Sequence, residues 1–206
     1  VYGGTIYLYN SPFTSNTATH GGGAIYGSRL NVNNSDFISN LAENGYGSAI
    51  YITGDTNYIS GSRFTSNNTG NGGVVYVAAG STTVSGSTFT ENKNAIFVGN
   101  GSSIVIENSF FDSNSERAIQ NNGGTMTINN TTFDGNASYN AGGAFNNSGS
   151  TGKSVATVTG SRFINNYTTA NSDAGGAIYN YSGVSGVGVS ELTINSSTFT
   201  GNIGRL

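Results

Sequence analysis

The sequence predicts an all-β protein, a right-handed parallel β-helix (β-solenoid) of about eight coils with three short strands in each. Two repeated motifs, and the lack of any sustained helical period, support this prediction. The motif Phe-x-x-Asn occurs eight times at spacings of 22 to 36 residues, and Gly-Gly-Ala-Ile-Tyr or a variant follows most copies. Repeats of this length are typical of a solenoid with one repeat per coil. The phenylalanines are Phe13, Phe37, Phe64, Phe89, Phe111, Phe133, Phe163 and Phe199.

Each repeat contains three short apolar peaks, which predict its three strands in order. The first is the isoleucine of the glycine motif, the second an aliphatic residue five positions before the phenylalanine, and the third the phenylalanine itself. These peaks are too short and too rich in β-branched residues for helices. Equivalent residues should stack one coil apart, at the strand spacing of ~4.8 Å. The second-strand residues are Leu8, Val32, Ile59, Val84, Ile106, Ile128, Val158 and Ile194.

Polar residues at fixed positions predict the corners between the strands. Asn, Gly or, once, Ser lies three residues before each phenylalanine, which suits a turn with a positive φ angle. Ser or Thr lies two residues before it, and we expect that side chain to point inward near the corner. The asparagine three residues after the phenylalanine should end the third strand and stack into a hydrogen-bonded ladder.

The two ends of the chain differ from the regular repeats. The first unit, Gly3 to Phe13, has no room for a separate second strand, so we expect an incomplete coil there. The segments Asn146–Thr157 and Asn180–Glu191 are long and rich in Gly and Ser, and we expect them to protrude as loops. Neither end carries an obvious amphipathic cap, which favours a segment of a longer solenoid or a subunit that stacks end to end.

Composition favours one β-helix domain over residues 1–206 and excludes several classes of function. Only 8% of the residues are charged, the net charge is −3 and the seven cations are isolated, which argues against a nucleic-acid partner. The longest apolar run, Val74–Ala79, is far too short to span a membrane. Because there is no cysteine, disulfides and thiolate metal sites are excluded.

The paired motifs resemble those of a known group of surface proteins. Repeats of Gly-Gly-Ala-Ile with Phe-x-x-Asn are similar to those of the chlamydial polymorphic membrane proteins and of adhesin-like proteins of methanogenic archaea. The resemblance extends from Gly3 to Asn202, with degraded glycine motifs at Lys93–Phe97 and Glu116–Gln120. It implies a right-handed parallel β-helix and an extracellular role in adhesion or in the structure of the cell surface.

An aromatic residue follows the isoleucine of the glycine motif in most repeats, and strand alternation turns this position outward. This predicts an exposed aromatic stripe over the first five coils, with one more tyrosine near the end. Such a stripe can stack sugar rings or anchor a protein partner. Equally, its rings can pack on each other and only stabilise the solenoid. The predicted binding residues are Tyr7, Tyr26, Tyr51, Tyr76, Phe97 and Tyr179.

Acidic residues provide one weak candidate for a cation site or a catalytic carboxylate pair. Asp112 and Asp134 each follow a phenylalanine in adjacent coils, so they should stack outward about 5 Å apart. Two solvated surface carboxylates are the favoured interpretation, because further oxygen ligands are scarce. The only histidine, His20, is interpreted as an exposed loop residue. The sequence therefore predicts no enzyme activity, no metal and no cofactor.

These observations leave three functional hypotheses, in decreasing order of support. The first is an extracellular, cell-surface adhesin that attaches without catalysis to a protein or glycan of a host or neighbouring cell, through the aromatic face or the C-terminal loops. The second is a structural subunit of an extracellular filament or sheath that stacks end to end. The third is a polysaccharide-active enzyme, as many parallel β-helices are.

Overall fold

A computed structural model of the chain describes residues 4–150, 152–169, 174–183 and 188–204. These ranges contain no helix and 26 strands, which stack in parallel as a β-solenoid and confirm the predicted fold class. None of the described segments is therefore a helix long and apolar enough to cross a membrane. The strands are β1 (Ile6–Tyr9), β2 (Pro12–Thr14), β3 (Thr17–Ala18), β4 (Ile25–Gly27), β5 (Leu30–Asn33), β6 (Asp36–Ile38), β7 (Leu41–Ala42), β8 (Ile50–Ser60), β9 (Arg63–Thr65), β10 (Asn68–Thr69), β11 (Val75–Ser85), β12 (Thr88–Thr90), β13 (Ile96–Val98), β14 (Ser103–Glu107), β15 (Phe110–Asp112), β16 (Ile119–Asn122), β17 (Thr125–Asn129), β18 (Thr132–Asp134), β19 (Ala137–Ser138), β20 (Phe145–Ser148), β21 (Ser154–Thr159), β22 (Arg162–Ile164), β23 (Tyr167–Thr168), β24 (Ile178–Tyr181), β25 (Ser190–Asn195) and β26 (Thr198–Thr200).

The strands form two long sheets that follow the repeat. One sheet holds the eight phenylalanine strands in chain order, and a thirteen-stranded sheet holds the first and second strands of the repeats. The solenoid has about six turns, slightly fewer than the eight predicted. The first layer contributes to this difference, because its strand β1 pairs with the second strand of the next layer, β5, and the described residues before it, 4 and 5, form no first strand. The expectation that this unit lacks a separate second strand is wrong, because β1 itself lies in the second-strand column.

The prediction of three strands per coil is wrong in two respects. In β8 and β11 the first and second strands merge into single strands of 11 residues, joined through an irregular register between them. Two-residue strands also follow the stacked asparagines in several layers, where β3, β7 and β10 form one sheet and β19 and β23 another. Both changes occur in corners where the backbone pairs with the neighbouring layer more continuously than the apolar peaks indicate.

The corners depend on left-handed backbone conformations that recur in every layer. All eight residues three positions before a phenylalanine have φ between 47° and 60°, which confirms the predicted corner. All eight residues two positions after it also have φ between 52° and 65°, and most of these are Ser, Asn or Glu rather than Gly. The sequence did not predict this second corner, because its residues carry little glycine signal.

The core consists of apolar side chains stacked in register along the solenoid. The eight phenylalanine rings form one continuous stack with centroids 4.5–5.0 Å apart and planes within 12° of parallel. The six from Phe37 to Phe163 have no exposed surface. Side chains at the predicted first-strand and second-strand positions complete the core, including Ile50, Val75, Ile59 and Val84.

Two polar ladders close the corners around this core. The asparagine three residues after each phenylalanine donates its Nδ2 to the Oδ1 of the next asparagine, at 2.8–3.1 Å over all seven junctions. From Asn40 onward Nδ2 also donates to the phenylalanine carbonyl of the preceding layer. Serine or threonine hydroxyls near the other corner accept backbone N–H groups and donate to carbonyls two residues back. The predicted inward-facing Ser or Thr and the predicted asparagine ladder are both confirmed.

The two long loops are shorter than the sequence indicates. Strand β20 continues to Ser148 and β21 begins at Ser154, so much of the predicted loop Asn146–Thr157 belongs to strands. In the second segment, Asn180–Glu191, the first two residues belong to β24 and the last two to β25. The centre of this segment, 184–187, lies outside the described residues. Around Gly149 the first segment is buried rather than protruding, because it packs against the second segment at Val189 and Gly188.

The asparagine ladder allows a matched test of stability. We expect Asn67→Ala to lower the free energy of unfolding by about 3 kcal/mol, because it leaves the Asn40 donors and the Phe37 carbonyl without partners in a buried site. The adjacent change Asn68→Ala, at an exposed position, should stay within about 0.5 kcal/mol. Chemical denaturation of both variants measures the difference. Equal destabilisation would contradict a structural role for the ladder.

Candidate functional site

Four aromatic rings form a continuous stack on the outer surface of the first strands. The register pairs Tyr26 with Tyr51, Tyr51 with Tyr76, and Tyr76 with Phe97. Their centroids are 4.8–5.1 Å apart, so each ring covers part of the next. The end ring, Tyr26, is 55% exposed, whereas the other three rings are partly buried by their neighbours. We call these four residues the aromatic ladder.

Two members of the predicted stripe lie apart from the ladder. The prediction that Tyr7 begins the stripe is wrong, because β1 pairs with β5 and places Tyr7 beside Asn31, in the second-strand column. Tyr179 does occupy the first-strand column, but Gln120 and Asn146 separate it from the ladder. Tyr179 instead stacks on Tyr181 within its own strand, with centroids 5.7 Å apart. The continuous stripe therefore contains four rings rather than one ring in each of five coils from Tyr7.

A fifth ring, which the sequence did not predict, covers the side of the ladder. Tyr46 lies in the corner before the glycine motif and contacts Tyr76, with ring centroids 4.6 Å apart and planes inclined by 34°. It is 40% exposed. No repeated pattern marks this position, because the residue at the matching bridge in the preceding layer is Gly21. The aromatic surface is therefore wider than one column.

The glycines of the repeated motif make room for these rings. A Cβ atom at Gly72 would overlap the Tyr46 ring and lie 2.9 Å from Cδ2 of Tyr76. At Gly21 it would lie 3.1 Å from Cδ2 of Tyr51. Gly72 also has φ = 70°, a conformation that other residues rarely adopt. The glycines before the aromatic position thus serve both the corner and the close approach of the rings.

Packing in the ladder changes the acidity of its central phenols. Burial raises the pKa of Tyr51 above its ordinary value of 10.0, and neighbouring Tyr26 and Tyr46 raise it further. The pKa of Tyr76 is raised for the same main reason, burial, with contributions from Tyr51 and Tyr46. Tyr51 and Tyr76 therefore stay neutral at physiological pH, and they offer hydroxyl donors and apolar ring faces without charge.

The acidic residues form no cluster of potential metal ligands in the described part of the chain. Asp112 and Asp134 do face each other in adjacent strands, as predicted, and Ser113 donates to Asp112 at 3.0 Å. In the same column their outer neighbours are Thr90 and Ile164, which supply no further carboxylate. No group of three or more potential metal ligands occurs among the described residues. The exposed pair Asp36–Arg63 is bidentate, with both contacts at 2.8 Å.

A second aromatic site lies on the neighbouring face, where the second strands of the first three layers meet. Tyr7, Asn31 and Tyr58 occupy successive positions of one outward column. Together with Arg29 and Asp55, which form an ion pair at 3.3 Å, they line a cavity of about 260 Å³. We call it the Tyr7–Tyr58 cleft. The sequence did not predict it, because this position of the second strand, six residues before the phenylalanine, carries a tyrosine in only two of the eight repeats.

Comparison of the chain with protein-family models, with curated proteins and with solved structures finds no match.

The raised phenol pKa values predict a loss of stability in alkali. Stability from the neutral phenols is complete below the unfolded-state pKa near 10 and is lost as the pH rises through the higher folded-state value. We expect the melting temperature to fall above pH ~10, and to fall less steeply when Tyr51 and Tyr76 are both changed to Phe. Circular dichroism during heating, repeated at several pH values around and above ~10, measures the melting temperature. If the melting temperature of the double variant fell with pH as steeply as that of the exposed control Tyr139→Phe, the two half-buried phenols would not be the cause of the loss.

Proposed function

We propose that this chain is an adhesin-type module that attaches, without catalysis, to a protein or glycan on another cell surface. The observation that supports this function is the aromatic ladder together with Tyr46, five rings on one face of the solenoid. Contiguous exposed aromatic surface is typical of sites for ligands or partners. An extracellular location accords with this role, since the attached partner lies outside the cell.

The ladder is suited to binding because its rings are held at a fixed spacing. Each ring belongs to a strand that is hydrogen-bonded to the layers on both sides or, for Tyr26, on one side. The glycines under the rings prevent the corners from carrying bulkier side chains that would displace them. Little conformational freedom is therefore lost when a partner covers these side chains, which favours affinity for a flat apolar or sugar surface.

A structural, self-stacking subunit is the second candidate, and the last layer provides the observation in its favour. Its core residues are open on one side: Ile194 is 42% exposed, Phe199 45% and Ile203 59%. The edge of β26 could extend the phenylalanine sheet by pairing with β2 of a second copy. This contact is head to tail and does not close, so it would produce a filament.

Pro12 argues against such stacking. In each of the seven later layers the residue before the phenylalanine donates its N–H to the preceding layer, at 2.9–3.2 Å. In the first layer that residue is Pro12, the only proline of the chain, which has no N–H to donate. Proline on an edge strand is a recognised protection against the addition of further strands. Attachment through the aromatic face is therefore the better-supported function.

Attachment can be tested by removing the rings of the ladder. We expect the chain to adhere to cultured epithelial cells or mucin-coated plates, and Tyr26→Ser with Tyr51→Ser and Tyr76→Ser to reduce adhesion roughly tenfold or more. Tyr139→Ser, a change at a tyrosine that is 67% exposed and outside the ladder, is the control. Circular dichroism checks that the triple variant keeps its fold. Full adhesion by a folded triple variant would exclude the ladder as the attachment surface.

Pro12 provides the test of the stacking alternative. The native chain should sediment as a monomer. Pro12→Thr restores an N–H donor at the edge of β2, and its association constant should be about fivefold higher than that of the native chain because of one added hydrogen bond. Threonine is the matched choice because Thr88 and Thr132 occupy this position in other layers. Analytical ultracentrifugation over a range of concentrations measures the association. Long particles formed by the native chain, and disrupted by Phe199→Ser, would instead favour the filament.

A further inference from the structure

We propose that the Tyr7–Tyr58 cleft is a subsite for one neutral sugar ring of a glycan. This inference rests on the proposed function, since it names a ligand class and a separate site for attachment. It depends on four observations: the spacing of the two tyrosines, the free amide between them, the ion pair at the rim and the rigidity of the wall.

The two rings are spaced to hold a ring between them. Tyr7 and Tyr58 lie on either side of Asn31 in the same column, so they are two strand spacings apart, ~9.6 Å. A ring inserted between two aromatic faces, at about 3.5–4.0 Å from each, needs roughly 7–8 Å. The ladder offers no such gap, because its rings follow one another in every layer at 4.8–5.1 Å. The gap between the two tyrosines of the cleft is therefore wide enough for one ring of a ligand.

These tyrosines are also more available than the rings of the ladder. Tyr7 is 61% exposed and Tyr58 50% exposed. Within the described residues Tyr58 makes no ring contact, and Tyr7 contacts only Tyr9 of its own strand, with centroids 6.5 Å apart. Later layers carry Thr83, Val105 and threonines in this column, so an aromatic residue is not needed to build the solenoid. A purely structural role does not explain the two rings.

The floor and rim of the cleft provide hydrogen-bonding groups suited to hydroxyls. The side-chain amide of Asn31, half-buried between the tyrosines, has no hydrogen-bond partner in the described part of the chain. Arg29 contacts Asp55 through a single N–O pair at 3.3 Å, which leaves further donors of its guanidinium and an acceptor of the carboxylate available. Planar groups of this kind can engage two neighbouring hydroxyls of a sugar at once.

The wall that carries Asp55 and Tyr58 is rigidly held from inside. Asn57 is completely buried; its Oδ1 accepts the N–H of Leu30 at 3.0 Å, and its Nδ2 donates to the carbonyl of Gly54 at 2.8 Å. These bonds fix the bend at which Asp55 adopts a positive φ of 53°. Irregular strand segments of this type commonly aim side chains next to functional sites. The cleft is therefore formed before any ligand arrives.

The ligand class follows from size and charge. A volume of about 260 Å³ lies just below the range of about 300–1,000 Å³ for small-molecule sites, which suits one sugar ring. The two charges at the rim have opposite signs and are paired, so the cleft has no net charge that would select an anion or a cation. Apolar ring faces combined with polar planar groups match a pyranose, whose C–H face stacks on an aromatic ring while its hydroxyls form hydrogen bonds.

Saturation-transfer NMR and calorimetry with the full chain test the assignment. The probes are the methyl glycosides of glucose, galactose, mannose and N-acetylglucosamine, with N-acetylneuraminic acid and a tryptophan-containing peptide for comparison. We expect at least one neutral glycoside to bind, and Tyr58→Ala or Tyr7→Ala to weaken it roughly tenfold or more. Tyr58→Phe, which keeps the ring, should retain most of the affinity, and Asn31→Ala should lose part of it. The exposed control Tyr139→Ala should bind like the native chain.

Each outcome separates this inference from the proposed function. No binding of any neutral glycoside, preferred binding of the acid or the peptide, or binding unchanged by Tyr58→Ala would overturn the sugar subsite. None of these results affects cell adhesion that depends on the aromatic ladder. Conversely, sugar binding that Tyr58→Ala abolishes, in a chain that adheres to no cells, would leave the cleft assigned and the attachment function overturned.

Discussion

The structure depends on one constraint, the in-register stacking of identical side chains at the spacing of parallel strands. The buried asparagine ladder shows how strict this register is, because each amide bonds both to the asparagine of the next layer and to a backbone carbonyl of the layer before. A slip by one residue would move an outward-facing neighbour of the phenylalanine into the phenylalanine stack and leave the buried amide donors without acceptors. The phenylalanine stack provides the apolar burial, but the polar ladders and left-handed corners fix which residues face inward. Glycine and asparagine are frequent in this chain because each layer needs the same bends.

The outward positions are free of that constraint, and the two aromatic sites use this freedom differently. In the ladder every layer from Tyr26 to Phe97 keeps a ring, so the side chains support each other and present a continuous surface. In the cleft Asn31 replaces a ring between two tyrosines, which leaves a gap and an unpaired amide. The first arrangement suits an extended partner, whereas the second suits a single ring. One solenoid can therefore offer two kinds of contact on adjacent faces.

What the sequence predicted correctly is what repeats in every layer. The phenylalanines, the aliphatic residues five positions earlier and the asparagines three positions later all lie where their spacing indicated. Tyr7 was misplaced because its segment fits two templates: Ile6–Tyr7 matches the glycine motif, but Leu8 lies five residues before Phe13. The distance from the second strand to the phenylalanine is fixed by a corner of constant length, whereas the distance from the first strand varies, so the second template prevails. Tyr46 belongs to no repeated position, and the tyrosines of the cleft lie at a repeated position whose residue type varies, so the repeated motifs do not reveal them.

The end of the ladder at Phe97 has a local physical cause. The next layer carries Glu116 and Arg117 where Gly72 and Gly73 stand in an earlier one, and both residues adopt positive φ angles, 56° and 88°. The Arg117 side chain then lies largely buried, where desolvation lowers its pKa, and it donates to Oε1 of Gln120 at 2.7 Å. Gln120 is the residue in the ladder column, so the position that follows Phe97 holds an amide paired to a guanidinium instead of a ring. The aromatic surface therefore ends where the pair of Arg117 and Gln120 occupies the place of the next ring.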